Sequence, residues 1–502
     1  MDILSLIGQS FLTVLTPSTL LMLIMGVAVG IVFGAIPGLS ASMAIALFLP
    51  MTFSMEVTNG ICTLVALYVG GVSGGLVSAI LLKMPGTSGS VATTFDGYPL
   101  AQKGQAGRAV GIAVISSFTG GMASFIVLMF VAPQVAKIAL KFSAVEYFAV
   151  ILFAIMMVFS LAGKSVLKGV IAAILGLMVS TVGIAPVDGV QRFTFGKSEL
   201  LNGFSILPTL IGLFAVTELF NLAEKKRTAD KESIIELKKI KGFGFSFKEF
   251  WQHKYTFLRS FLIGLGIGIL PGIGDTASNM VSYSVAKTTS KHPEEFGHGA
   301  VDGIIAPECA NNASIGGALI PLLSLGIPGD GVTAIILGGF MIQGLTPGPL
   351  LFTTNRELVY SIFAALIVCN FIMLALEFFG MRGFVKMLRV PKHILLPIII
   401  LMCMVGAFAA NNRLFDVKSI LLFGVLGYAM KKFDVPVAPF VLSFVLGTLL
   451  ETNLRRGIML TQGSFTAFFT RPIAAVFLVA AMAALIFSLV KTFRNYRREN
   501  GR

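Results

Sequence analysis

Apolar segments of about 20 residues recur from one end of this chain to the other, and each is long enough to cross a lipid bilayer as a helix. Only 12% of the 502 residues are charged, whereas soluble domains carry about 25%. The 54 glycines suit close helix packing and interrupted helices in a membrane. We therefore predict an all-α polytopic membrane protein that is embedded in the lipid bilayer.

The distribution of charge predicts how the chain is oriented. Ten Lys or Arg and five Asp or Glu lie between Glu224 and Arg259, and the C-terminal tail is also basic. Residues 1–82, by contrast, contain no Lys or Arg. Because basic loops stay in the cytoplasm, we expect a cytoplasmic loop and C-terminus and an N-terminus outside. The formal charge of +14 therefore reflects membrane topology and does not indicate nucleic-acid binding.

Four apolar segments are interrupted by a Pro-Gly pair that is followed by small polar residues. Proline removes a backbone donor and clashes with the preceding turn, so a helix is expected to end at each pair. At membrane depth, such irregular backbone survives only where it lines a cavity or packs against protein. The alternative is a set of ordinary proline kinks whose hydroxyl groups bond to their own helix. The first, second, third and fourth breaks lie at residues 37–42, 85–90, 271–279 and 328–333.

The second half of the chain repeats the order of these features. Leu270-Pro-Gly-Ile corresponds to Ile36-Pro-Gly-Leu, and Leu325-Gly-Ile-Pro-Gly corresponds to Leu82-Lys-Met-Pro-Gly. Paired interrupted helices in two halves are typical of secondary transporters, which bind substrate between them. If each half crosses the membrane an odd number of times, the second half is inverted. We therefore predict two inverted-topology repeats with broken, re-entrant helices.

This repeat divides the chain into a transport core that carries the breaks, a scaffold, and amphipathic connectors lying along the interface. A rigid core that slides past a fixed scaffold, as in an elevator, suits this division. The predicted parts are the first repeat at 1–222 (core 18–130, connector 133–143, scaffold 145–222), a basic cytoplasmic loop at 223–256, the second repeat at 257–454 (core 257–380, connector 381–393, scaffold 395–454), and an extra C-terminal helix with a basic tail at 455–502.

The breaks also predict the charge of the substrate. A helix that restarts at membrane depth directs its free N–H groups and the positive end of its dipole into the cavity. Opposed helix N-termini and hydroxyl groups can hold a small carboxylate with bonds that are easily replaced. The predicted substrate-binding residues are Pro37, Gly38, Ser40, Ser42, Pro85, Gly86, Thr87, Ser88, Ser90, Gly272, Gly274, Thr276, Asn279, Gly329 and Thr333.

Two carboxylates in the second half suggest a coupling ion. Asp275 and Asp330 lie in the polar restarts, and carboxylates at membrane depth are costly and usually functional. With Asn311, Asn312 and Ser314 they could supply oxygen ligands to Na⁺, or they could carry H⁺. Equally, either aspartate could simply cap its helix. We predict no cofactor and no metal beyond this coupling ion.

Several motifs resemble the large membrane subunit of the tripartite tricarboxylate transporters. They are Pro37-Gly-Leu, Phe95-Asp-Gly-Tyr-Pro99 and the run from Leu270-Pro-Gly-Ile-Gly-Asp to Leu325-Gly-Ile-Pro-Gly. The resemblance implies a secondary transporter of the bacterial inner membrane that imports di- or tricarboxylates, usually with Na⁺ or H⁺. It also implies two partners, a small four-helix membrane subunit and a periplasmic solute-binding protein. A homodimer of the two-subunit complex is a further expectation.

Two other functions remain open at this stage. A stand-alone carboxylate symporter would use the same fold without a binding protein. An intramembrane aspartyl protease is suggested by Gly272-Ile-Gly274-Asp275, which matches the Gly-x-Gly-Asp signature of that class. The protease would need a second aspartate at matching depth, and Asp96 is the candidate. The predicted assignment is a transporter and not an enzyme.

Overall fold

A computed structural model describes residues 3–161, 166–224, 245–272, 274–387 and 392–500. Most of the described residues are helical, which confirms the prediction of an all-α polytopic protein. Within the described ranges, five stretches are long and apolar enough to cross a membrane, namely Pro17–Ala35, Val57–Leu82, Thr93–Ala139, Arg356–Met381 and Val437–Leu460.

The helices of the first half end before the basic loop, most of which lies outside the described residues. They are α1 (Ile3–Val14), α2 (Pro17–Ala35), α3 (Ala41–Thr52), α4 (Val57–Ser73), α5 (Gly75–Leu82), α6 (Thr93–Leu100), α7 (Ala106–Ala139), α8 (Ala144–Leu161), α9 (Val166–Ser180), α10 (Ile206–Leu210) and α11 (Thr217–Glu224). Shorter turns complete them: a 3-10 turn at Ser88–Ser90, a π turn at Ala101–Gln105, a 3-10 turn at Ser198–Leu200 and a π turn at Ile211–Val216.

The helices of the second half follow the same sequence of breaks. They are α12 (Phe247–Gln252), α13 (Lys254–Ile269), α14 (Gly274–Thr289), α15 (Asp302–Leu325), α16 (Gly331–Ile342), α17 (Leu351–Thr354), α18 (Arg356–Met387), α19 (Lys392–Asn411), α20 (Leu414–Lys432), α21 (Val437–Leu460), α22 (Thr466–Thr470) and α23 (Pro472–Asn500). A 3-10 turn at Pro293–Glu295 lies between α14 and α15.

The structure differs from the sequence-based prediction at the connectors. Residues 133–139 continue α7 through Pro133 and do not form a separate helix. Residues 381–387 likewise complete α18, and residues 388–391 lie outside the described ranges. A proline inside a membrane helix is tolerated because neighbouring groups satisfy the carbonyl that it leaves free. The apolar pattern therefore runs on where the sequence analysis expected a boundary.

A small hairpin and an additional helix were not predicted. Strand β1 (Gly183–Ile184) pairs antiparallel with β2 (Gln191–Arg192). Arg192 in this hairpin donates to both carboxylate oxygens of Glu451 in α21, at 2.7 and 3.0 Å. Helix α1 precedes the first predicted span and packs against α18. The hairpin is too short to show a period of alternating residues, so the sequence carries little signal for it.

Helix α15 lies at the centre of the bundle and packs against α7, α13 and α14. On the first-half side, α2 packs against α4, and α18 packs against both. A second group of helices joins α8 and α9 to α21, and α20 to the π turn at Ile211–Val216. Both groups therefore combine elements from the two halves of the chain.

Helix α12 shows how the chain re-enters this bundle after the basic loop. The hydroxyl of Ser246 caps the helix by accepting from the N–H of Glu249 at 3.2 Å. The N–H of Ser246 donates to the Glu249 carboxylate, which also pairs with Arg108 at 2.8 Å. This backbone bond, together with the guanidinium, holds the pKa of Glu249 below its usual value. The reciprocal cap fixes the start of the second half against α7.

Glycine allows the closest helix contacts in both halves. A Cβ atom built on Gly30 of α2 would lie 2.5 Å from the carbonyl oxygen of Leu67. One built on Gly264 of α13 would lie 2.7 Å from the Cα of Ala310. Any side chain at these positions would push the backbones apart, so the approach of α2 to α4 and of α13 to α15 depends on glycine.

We predict that Gly264→Ala destabilises the protein by about 1–3 kcal/mol, because the added methyl overpacks a backbone contact. Gly266→Ala is the matched control, since Gly266 lies in the same helix with nothing within 4 Å of its Cβ position. Thermal unfolding in detergent measures both variants. Equal melting temperatures for the two would contradict the packing described here.

Candidate functional site

The third and fourth breaks contact each other directly. The N–H of Gly272 donates to the carbonyl of Gly329 at 2.7 Å. Gly272 has φ of 81° and Gly274 has φ of 65°, a left-handed conformation that glycine adopts without strain. A Cβ built on Gly274 would lie 3.4 Å from the Cβ of Asp330. The start of α14 and the residue that precedes α16 therefore lie side by side.

The second break contacts the third through its backbone. A Cβ on Gly89 would lie 2.5 Å from Asp275 Oδ2 and 2.5 Å from Asn311 Oδ1. The N–H of Ala92 donates to Asn279 Oδ1 at 2.8 Å. Only glycine permits this approach of the 3-10 turn to the carboxylate. We call Gly89, Asp275, Asn279 and Asn311 the Asp275 cluster.

The first break joins these elements through α4. The hydroxyl of Ser40 caps α3 by accepting from the N–H of Met43 at 3.1 Å. A Cβ on Gly71 of α4 would lie 2.6 Å from the Cβ of Ala41. Tyr68, one turn earlier on α4, donates its hydroxyl to Asp330 Oδ2 at 2.5 Å. The first break is therefore linked to the fourth by one helix and not by contact of Ser40 with either aspartate.

Asp330 acts as a helix cap. Its Oδ1 accepts from the N–H of Thr333 at 2.7 Å, and its own N–H donates to Thr333 Oγ1 at 2.8 Å. Because Tyr68 occupies Oδ2, both carboxylate oxygens have protein partners. The second break repeats half of this arrangement, since the N–H of Thr87 donates to Ser90 Oγ at 3.2 Å. The structure thus favours the capping interpretation for Asp330.

Asp275 has a different environment. Its side chain is half-buried, and its nearest hydroxyl is that of Thr276 at 3.3 Å. Two buried side chains of the Asp275 cluster carry polar atoms without a hydrogen-bond partner: both side-chain atoms of Asn311 and Nδ2 of Asn279. Buried polar atoms are normally paired, so unpaired atoms grouped beside one carboxylate indicate a site that a ligand completes.

The remaining predicted residues divide into open and enclosed groups. Asn312 and Ser314 bond to carbonyls of their own helix, at Glu308 and Asn311 respectively, so their side chains are already partnered. Among the predicted substrate residues, those exposed or half-buried are Pro37, Gly38, Ser40, Ser42, Pro85, Ser88, Gly272 and Thr276, and those buried are Gly86, Thr87, Ser90, Gly274, Asn279, Gly329 and Thr333. Each of the first three breaks therefore has residues that solvent can reach, whereas the predicted residues of the fourth break are buried.

Side chains from elements outside the breaks pack against the third and fourth breaks. A Cβ on Gly272 would lie 2.6 Å from Val158 Cγ1 of α8. One on Gly331 would lie 3.4 Å from Phe214 Cζ in the π turn. Apolar side chains from α8 and from Ile211–Val216 therefore flank the third and fourth breaks.

Sequence analysis missed three buried polar residues near the site. Tyr68 is the partner of Asp330, as described above. Glu308 in α15 accepts from the hydroxyls of Thr93 at 2.5 Å and Ser117 at 3.0 Å. Glu377 in α18 is wholly buried. Both glutamates interrupt apolar helices, which is the signal that could have identified them.

The structure separates the two aspartates that a protease would need. Asp96 Oδ1 accepts the N–H groups of Gly297, Gly299 and Ala300, each at 2.8 Å. Its Oδ2 accepts the hydroxyl of Tyr283 at 2.9 Å. Tyr283 is eight residues from Asp275 along α14, which corresponds to about 12 Å. Asp96 anchors the turn between α14 and α15, so the pairing with Asp275 that the protease alternative would require is not present.

Comparisons with known proteins agree with the geometry of a transporter. A family profile described as "Tripartite tricarboxylate transporter TctA family" matches residues 20–442. An Agrobacterium vitis protein described as "Uncharacterized 52.8 kDa protein in TAR-I ttuC' 3'region" is 38% identical over 498 residues, covering 99% of this chain and 98% of the relative.

A second Agrobacterium vitis relative, "Uncharacterized protein in TAR-II ttuC' 3'region", is 42% identical over 231 residues, covering 46% of this chain and 96% of that protein. No solved structure matches the chain. The profile match and the full-length relative confirm the resemblance identified in the sequence. The chain therefore belongs to the tripartite tricarboxylate transporter TctA family, a family of membrane transporters and not of enzymes.

Proposed function

We propose that this chain is the large membrane subunit of a binding-protein-dependent secondary transporter that imports a small di- or tricarboxylate, or a related organic acid, across the bacterial inner membrane. One observation carries the proposal: the Gly272–Gly329 hydrogen bond and the approach of Gly89 to Asp275 join three helix breaks around one group of unpaired polar atoms. Family membership supplies the transport function, and this junction is the proposed binding site.

Helix dipoles and hydroxyl groups favour a carboxylate substrate. Helices α14 and α16 both begin at the junction, so the positive ends of both dipoles lie there. Ser88 in the second break and Thr276 in the third break are exposed and provide hydroxyl donors. These donors bind an anion through partial charges and release it more easily than a buried Lys or Arg would.

A coupling cation resolves the conflict between such a substrate and Asp275. A substrate carboxylate is repelled by the Asp275 carboxylate unless positive charge lies between them. Asn311 Oδ1 lies beside Asp275 and has no hydrogen-bond partner, so the two side chains can share Na⁺, or Asp275 can carry H⁺. Substrate and cation then favour each other's binding, which is the basis of symport. The Asp330 carboxylate already accepts hydrogen bonds from Tyr68 and Thr333, so this residue supports the site by capping α16.

Paired contacts at the ends of the broken helices support inverted repeats. Gln343, at the end of α16, donates to the carbonyl of Thr52 at the end of α3 at 2.5 Å. Lys103, beyond α6, donates to the carbonyl of His298, beyond α14, at 2.8 Å. The segments that follow the first and fourth breaks thus meet at one contact, and those that follow the second and third breaks meet at another. This is the arrangement that two inverted copies would produce.

The remaining parts of the proposal concern movement and partners. The helices that carry the breaks would slide as a transport core past a scaffold that includes α8, α9, α20 and α21. A small four-helix membrane subunit and a periplasmic solute-binding protein would complete the transporter, which would function as a homodimer of the two-subunit complex. The alternative is a stand-alone symporter that needs no binding protein.

Uptake of a panel of radiolabelled di- and tricarboxylates tests the proposed function. We expect proteoliposomes with this chain and the small subunit to accumulate one of the acids when the binding protein and an inward Na⁺ or H⁺ gradient are present. Omitting the binding protein should abolish accumulation. Undiminished uptake without it would favour the stand-alone symporter, and no uptake of any acid would contradict the proposal.

Asp275→Asn should reduce uptake at least tenfold and remove its dependence on the coupling cation. Losing a hydrogen bond or contact to a charged group costs about 1.5–3 kcal/mol, and 1.4 kcal/mol corresponds to tenfold. Asp188→Asn is the control, because Asp188 lies between β1 and β2 and is exposed. Initial rates at a series of cation concentrations measure both variants. Unchanged cation dependence in Asp275→Asn would exclude this residue from the ion site.

Thiol labelling tests the inversion of the repeats. Ser54 and Thr288 occupy corresponding positions after the first and third breaks, and both are exposed. The four native cysteines are buried and should give little background. We expect an impermeant maleimide added to intact spheroplasts to label Ser54→Cys but not Thr288→Cys, with the reverse result in inside-out vesicles. Labelling of both from the same side would rule out inverted repeats.

A further inference from the structure

Two of the buried carboxyl groups outside the Asp275 cluster belong to glutamates in the middle of apolar helices. Glu308 in α15 and Glu377 in α18 are both fully inaccessible to solvent. Neither makes an ion pair within the described residues. Neither Glu377 oxygen has a partner within hydrogen-bond distance. The hydroxyl of Ser73 faces this carboxyl group and also contacts Met373 Sδ at 3.4 Å. Glu308 is close enough for a charge on it to disfavour a negative charge on Glu377.

Among the side chains that the structure describes, the helices packed around the two glutamates place no cation beside either of them. Around Glu308, α7 contributes Ser117 and α6 contributes Thr93. The titratable or charged groups on the neighbouring helices are directed elsewhere, and most have their own partners. They are Asp96 with Tyr283, Tyr68 with Asp330, Arg259 with Thr289, Arg108 with Glu249, Asp275 beside Gly89, and Lys137 and Glu56 at the ends of α7 and α4.

A carboxylate buried without a cation or hydrogen-bond donor is strongly disfavoured in its charged form. Among the described residues, Glu377 has no cation beside it, and the Ser73 hydroxyl is its one neighbouring donor. Glu308 differs because two hydroxyls donate to it, and these bonds can support a carboxylate for part of a cycle. The two acids therefore have distinct roles.

We propose that Glu308 and Glu377 form a proton-binding site, in which Glu377 remains protonated and Glu308 takes up and releases one proton in each transport cycle. This inference rests on the proposed transport function and adds a coupling proton to it. The step is a simple protonation: the Glu308 carboxylate accepts H⁺ from one side of the membrane and returns it to the other.

The second break connects this site to the Asp275 cluster. The N–H of Ala92 donates to Asn279, and the hydroxyl of the next residue, Thr93, donates to Glu308. Asn312, beyond Asn311 on α15, donates to the backbone carbonyl of Glu308 at 3.2 Å. A ligand that moves the second break therefore also changes the hydroxyl bond of Glu308, which couples protonation to substrate binding.

Infrared difference spectroscopy of the purified full-length chain in lipid tests the protonation states without requiring transport. Glu377→Gln should remove a carbonyl band of protonated carboxyl that does not vary with pH. Glu308→Gln should remove a band that titrates, and Thr93→Val should shift this band because Glu308 loses a donor. Glu218→Gln is the control, since Glu218 pairs with Lys431 and should contribute no such band. Absence of both protonated-carboxyl bands from the wild-type protein would overturn the proposal.

Transport measurements separate this inference from the function on which it rests. In the complete transporter, Glu308→Gln should reduce uptake driven by a pH gradient at least tenfold, whereas exchange of internal for external substrate should continue. Uptake by Glu308→Gln that still follows the pH gradient would overturn the proton site while leaving the transporter intact. If the wild-type protein takes up no carboxylate but the two bands are present, the proposed function fails and the proton site stands.

Discussion

The hydrogen bond from Gly272 to Gly329 depends on a constraint that governs the whole structure: backbone groups at membrane depth must find partners within the protein. A broken helix exposes N–H and carbonyl groups that lipid cannot satisfy. Here one break supplies the acceptor for the donor of another, so two interruptions become acceptable together. The proposed binding site lies at this junction, where the breaks satisfy each other's backbone groups.

The two sides of this junction are not equivalent. When the halves are aligned on Pro85 and Pro328, Tyr68 corresponds to Asn311 and Thr87 corresponds to Asp330. Tyr68 and Asp330 bond to each other, so one side is closed by the protein itself. Asn311 and Thr87 have no such bond, so the other side retains unpaired atoms. If the two halves are repeats, as proposed, different residues at these two pairs of positions would leave a ligand site on one side only.

The fold was largely predictable from sequence because hydropathy and Pro-Gly pairs act locally. Apolar runs located the spans, and the breaks fell where proline excludes a helix. Side-chain pairing across the fold was not predictable. Asp96 could be recognised as a motif, but its bonds to Gly297, Gly299 and Ala300 join segments about 200 positions apart. Glu308 and Glu377 carried a visible signal as charged residues within apolar helices, yet their neighbours depend on packing.

Charge balance explains why the proposed site needs both an anion and a cation. Asp275 lies where two helix N-termini would otherwise favour any small anion, so an empty site carries negative charge from the protein itself. Adding a substrate carboxylate alone would place like charges together in a medium of low dielectric constant. Adding a cation alone would leave the helix N-termini without an anion. Joint occupancy satisfies both, and a core that moves only when its charges are balanced would carry substrate and ion together.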